Sequence, residues 1–230
     1  MRELLIKSMK PVLCIMTVLD AFFIVRMFKE YSKNKKNIMP LLAGIICIGL
    51  FYDSLVLSMG GFVGFGSLLQ HLSQFRYVLH YVLIPLLFPL CAYALTKKKS
   101  VITVVWALTA IIMVIGAAAG FLVVTEPVAF GVRRYAQAPE TPAWVNTLMN
   151  LLNTVPDFLI IGIGVYLMIK KENPNLFLAG FLMLVFTLIG IFFGKDPSGD
   201  GSKSLMFYIS MFGESLMVFF LYRYIKNIDK

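Results

Sequence analysis

Apolar residues gather into seven long stretches, at about 11–28, 38–60, 72–96, 100–124, 143–169, 175–193 and 204–223. Each is long enough to cross a hydrocarbon core as a helix, which takes about 20 residues, with the sixth and seventh nearest the minimum. The pattern predicts an all-α, polytopic membrane protein whose residues 1–230 form one transmembrane bundle with short connections and no sizeable soluble domain. The N-terminal stretch MRELLIKSMKPVLCIMTVLDAFF begins basic and turns apolar, as a signal peptide does. Its apolar run continues past Asp20 without a clear small-x-small cleavage site, so it reads as a retained first span.

Composition fits this pattern, with 59% hydrophobic and 14% charged residues among 230. The surplus of 21 Lys and Arg over 12 Asp and Glu raises the question of nucleic acid, and position answers it. Lys29, Lys33, Lys35 and Lys36 follow the first segment, Lys97 to Lys99 the third, Lys170 and Lys171 the fifth, and Arg223, Lys226 and Lys230 the seventh. Alternate connections carrying the basic residues are the signature of cytoplasmic loops, which also meet anionic lipid. The expected topology has the N-terminus outside and the C-terminus cytoplasmic, in the cell membrane, with lipids and no nucleic acid as partners. Arg2, Lys7 and Lys10 oppose it, and a short amphipathic helix over MRELLIKSMK on the outer surface would accommodate them.

Two outer connections are longer than the rest. Residues 125–142 are rich in Pro and Ala, carry Arg133 and Arg134, and end near Trp144, a residue suited to anchor the fifth helix at the interface. GKDPSGDGSK, with Lys195 and Lys203, reads as a flexible turn; its Asp-Gly pattern lacks the ligand series and terminal Glu of a calcium loop. Cys14, Cys47 and Cys91 sit in apolar segments without metal-ligand spacing and read as packing residues. No internal repeat, metal motif or cofactor motif is visible, so neither metal nor cofactor is expected.

The polar residues inside the spans carry the functional signal, because burying them costs free energy that apolar side chains would not. At a rise of about 1.5 Å per residue, Asp20, Asp157 and Glu214 fall near mid-depth, and Asp53 slightly outward of it. On the third segment Arg76 and His80 are four residues apart and share a face, joined by Ser73. A short connection makes the second and third helices antiparallel neighbours, so Asp53 is the expected partner of this pair. Asn146, Asn150, Asn153 and Asp157, spaced 4, 3 and 4 apart, line one face of the fifth helix. The seventh offers a stripe of Ser204, Tyr208, Met211 and Ser215 beside one of Ser210 and Glu214. Pro85, Pro89 and Pro156 free carbonyls and predict kinks beside His80 and Asp157. Asp20 is six residues from Arg26, the wrong spacing for one face, so a partner on another helix, or a proton, is expected.

Together these residues describe a polar cavity among the second, third, fifth and seventh helices, open outward and closed below. Its expected ligand-binding residues are Asp53, Arg76, His80, Asn150, Asn153, Asp157, Tyr208 and Glu214. One reading is binding or transport of a small molecule, ion or lipid head group, with Arg76 attracting an anionic group and Asp157 and Glu214 coupling through protonation. A second is an intramembrane lipid-modifying enzyme, with His80 or Asp53 as general base, Asp157 or Glu214 as acid, and Arg76 stabilising an oxyanion. A third is a structural or partner-binding subunit whose polar residues join helices. The seventh segment has no lysine, which excludes a retinal Schiff base of the rhodopsin kind there. Only His71 and His80 are present, against the several histidines of metal hydrolases of the alkaline ceramidase kind.

Overall fold

The computed structural model describes residues 2–193 and 202–228. Its elements are α1 (Arg2–Lys33), α2 (Met39–Val63), α3 (Ser67–Leu83), a 3₁₀ turn (Ile84–Leu86), α4 (Leu87–Leu95), α5 (Lys99–Phe121), β1 (Thr125–Phe130), β2 (Val132–Gln137), α6 (Ala143–Lys171), α7 (Asn175–Phe193) and α8 (Ser202–Lys226). Taken with α3 and α4 as one, seven helices are long and apolar enough to cross a membrane. The Asp-Gly connection with Lys195 falls outside the described residues, as do the side chains of Arg2, Lys203 and Ser204.

Local chemistry explains the boundaries. Pro85 has no amide to offer the carbonyl of Tyr81, and the third span passes through one 3₁₀ turn there before resuming as α4. By contrast, α6 runs through Pro156 without interruption. Asn37 Oδ1 accepts the Met39 amide at 3.2 Å, and Asn173 Oδ1 accepts that of Asn175 at 3.2 Å, so side chains satisfy free amides where α2 and α7 begin. At the N-terminus, the expected surface helix over MRELLIKSMK is corrected: α1 is continuous from Arg2 through Pro11 to Lys33. Met9 and Leu13 are buried against Leu57 and Tyr208, and this packing extends the first helix beyond its apolar run.

Close helix contact depends on small residues. A Cβ on Gly116 would stand 2.5 Å from the carbonyl oxygen of Tyr81, and one on Gly120 would stand 2.6 Å from Val78 Cα. This small-x-x-x-small pair lets α5 lie against α3 at the carbonyl that Pro85 frees. Most of the remaining surface of α5 is exposed, with Val104, Leu108, Ile111 and Ile115 marking one face.

The largest correction concerns residues 125–142, expected as a loop. Residues 125–137 form an antiparallel hairpin in which Thr125 pairs with Gln137 and Phe130 with Val132. Gly131 closes the turn at φ +69°, a conformation that favours glycine. The hairpin lies on the bundle end: a Cβ on Gly60 of α2 would collide with the carbonyl of Arg133. Alternation along β2 turns Val132, Arg134 and Ala136 inward and leaves Arg133 exposed.

Candidate functional site

A cavity of about 640 Å³ lies beneath the hairpin. Asp53 of α2, Arg76, Tyr77 and His80 of α3, and Arg134, Ala136 and Gln137 of β2 wall one side. Asn146, Asn150, Asn153, Asp157 and Phe158 of α6 face Met183, Leu184, Thr187 and Ile191 of α7 and Phe207, Ser210 and Glu214 of α8. A polar interior thus meets an apolar wall contributed mainly by α7. Ala136, Gln137, Ala138 and Pro139 cover the end that the sequence pattern left open.

The wall is incomplete to one side. Asn150, Asn153 and Thr154 line the cavity yet are exposed, and the apolar residues beside them, Phe158, Ile191 and Met206, are exposed as well. The close approaches of α6 to α7, at Gly164 against Phe177 and at Gly180 against Ile160 and Ile161, lie deeper in the bundle. These exposed lining residues, on α6, α7 and α8, give the cavity an apolar rim on one side.

Charge inside it is arranged in pairs and stacks. Asp53 Oδ1 is 3.7 Å from Arg76 Nε, and its Oδ2 is 3.6 Å from His80 Nδ1, so one carboxylate serves two basic side chains. On its other edge, His80 Nε2 meets Asn153 Oδ1 at 2.7 Å. The Arg76 guanidinium also lies 5.0 Å from the Tyr77 and Phe207 ring centroids, and that of Arg134 lies 4.8 Å from Phe207. Two buried arginines thus share one aromatic ring. Burial and the charge of Arg76 pull the pKa of Arg134 down to about 10, which leaves it cationic at neutral pH. Arg76 Nη1 and Glu214 Oε2 are buried with no hydrogen-bond partner among the described residues.

Seven of the eight residues expected to bind ligand line this one cavity: Asp53, Arg76, His80, Asn150, Asn153, Asp157 and Glu214. Asn146 does so too, bonded to Gln137 and donating Nδ2–H to the Thr141 carbonyl at 3.2 Å. Tyr208 is the exception and does not line this cavity. It faces α1, 3.3 Å from Ser8 Oγ, with Met211 in the same apolar cluster. Ser73 is buried but does not line the cavity, and Ser215 contacts Asp20. The sequence pattern missed Arg134, Phe207 and all of α7. For Arg134 a signal existed, the alternation VRRYAQ following a glycine; the apolar wall of α7 left none.

The fold and cavity define a multi-pass membrane protein built on seven candidate spans. Compared with known protein families and with curated proteins, the chain matches none.

Proposed function

We propose that the protein binds an amphiphile with an anionic head group, admitted from the membrane past this apolar rim. The observation that supports this most directly is Arg76 Nη1, a guanidinium N–H group held in the cavity wall without an acceptor among the described residues. Buried donors left unbonded cost about 1–3 kcal/mol, more when charged, so a ligand that brings an acceptor is favoured. Arg134 adds a second cation on the same ring, and planar guanidinium groups suit phosphate and carboxylate. The apolar rim of Phe158, Ile191 and Met206 suits an acyl chain.

On this reading the hairpin faces outward, since Lys29 to Lys36, Lys97 to Lys99, Lys170, Lys171 and Arg223 all fall at the opposite end of the bundle. If the ligand is carried across, Asp157 and Glu214 are the groups placed to exchange protons with it. A second reading is favoured by the Asp53–His80–Asn153 chain: an imidazole whose two nitrogens face a carboxylate and an amide oxygen carries a proton on each, and can give one to a lipid as a general acid.

Binding of a lysophosphatidate with a fluorescent acyl chain to the detergent-purified protein tests the proposal. Saturable binding is expected, weakened about tenfold or more by Arg76→Gln and several-fold by Arg134→Gln, the scale of one charge-assisted hydrogen bond. No binding, or equal binding by both variants, overturns it. Cleavage of the probe during incubation moves the assignment to the enzyme.

A further inference from the structure

Outside the cavity, α1, α2 and α8 enclose a second polar cluster. Asp20 at its centre is 1% exposed. Its Oδ2 lies 3.5 Å from both Ser54 Oγ and Ser215 Oγ, while Oδ1 is buried with no hydrogen-bond partner among the described residues. None of the ion pairs formed among the described residues includes Asp20. Arg26, the basic residue nearest in sequence, instead donates Nε–H to Tyr222 at 3.2 Å.

Two of the three hydroxyls of this cluster, Thr17 and Ser54, have other uses for their protons, while Ser215 Oγ donates to Asp20 Oδ2. Thr17 Oγ1 donates to the Leu13 carbonyl at 2.8 Å, and Ser54 Oγ to the Phe51 carbonyl at 2.9 Å. Each hydroxyl has one proton and two lone pairs, so a proton spent on the main chain leaves an oxygen that accepts. Thr17 Oγ1 and Ser54 Oγ are 3.1 Å apart. Asp20, Thr17, Ser54 and Ser215 thus bring carboxylate and hydroxyl oxygens together around a single formal negative charge.

We propose that these four residues form a sodium site. Hard, all-oxygen ligands exclude soft metals, and among the described residues no three His, Cys, Asp or Glu side chains are grouped to hold a transition metal. One carboxylate matches a monovalent ion, where divalent ions generally draw more acidic ligands. Size points the same way. Sodium is close to calcium in radius, and an ion–oxygen distance of about 2.4 Å sets neighbouring ligand oxygens about 3.4 Å apart. The separations here, 3.1 to 3.5 Å, fit that spacing, while potassium would need them wider. Ser215 follows Glu214 directly, so an ion held here sits one residue from the cavity wall.

Thermal unfolding of the full-length protein in detergent, with choline chloride replaced stepwise by NaCl at constant ionic strength, tests the site. A saturable rise of the midpoint with sodium is expected, much smaller with KCl, because an ion that binds only the folded state stabilises it. Asp20→Asn should abolish the response, and Ser215→Ala should raise the half-saturating concentration several-fold. Equal midpoints in NaCl, KCl and choline overturn the proposal, as does a sodium response that survives Asp20→Asn. Should Asp20→Asn fail to fold, an unchanged half-saturation in Ser215→Ala is equally fatal.

Discussion

Met27 of α1, Ile46 of α2, Leu90 of α4, Ile160 of α6 and Leu221 of α8 belong to one apolar core at the end of the bundle away from the hairpin. Beneath the hairpin, α2, α3, α6 and α8 turn Asp53, Arg76, Asp157 and Glu214 toward a common space instead. In lipid the first arrangement is held by close packing, since apolar surface gains little by leaving a hydrocarbon solvent. The second is held by a few charge contacts around one carboxylate. On the proposed reading, stability and recognition are divided along the same helices, and substitutions in the two halves should differ in kind.

The sharpest break is at the packed end. A Cβ on Gly164 would stand 2.3 Å from the Phe177 amide nitrogen, so Gly164→Val forces α7 away from α6. The expected result is loss of most folded, monodisperse protein on size exclusion. Recovery of normally folded protein would mean that this interface is loose, and the division of labour would fail.

Next in size is the centre of the charged end. Asp53→Ala removes the carboxylate shared by Arg76 and His80 and leaves a buried guanidinium unpaired, a change worth about 3–5 kcal/mol in comparable buried pairs. Asp53→Asn, which keeps the shape but not the charge, should destabilise nearly as much. Thermal unfolding of both variants separates charge from packing: if Asp53→Asn is neutral, shape alone matters there.

How far the sequence disclosed this division follows from what helical arithmetic can see. The spacing of Asn146, Asn150, Asn153 and Asp157 fixes their shared face, and the short α2–α3 connection brings Asp53 to Arg76 and His80. Tyr208 defeated the same arithmetic because it is six residues from Glu214, about 120° away around an α-helix, and so looks toward α1. Pro127 within β1 disguised the hairpin, since proline argues against a strand unless the strand lies at an edge. The α7 wall, Met183, Leu184, Thr187 and Ile191, contains no charged side chain, so a search for buried charge passes over it. Polar residues in a membrane helix reveal a cavity's chemistry, and apolar ones conceal its outline.

The mildest test is at the edge of the charged network. Asn153→Ala breaks the 2.7 Å contact to His80 Nε2 but leaves His80 beside Asp53, on a helix face already open to the cavity. A single hydrogen bond at a partly open position contributes about 0.5–1.5 kcal/mol, so the unfolding midpoint should fall by only a few degrees. Lysophosphatidate binding should weaken more visibly, because His80 loses the partner that fixes its ring across the cavity. A fall in stability as large as that of Asp53→Ala, with binding unchanged, would make the Asn stripe a helix-joining device and return the charged end to a structural role.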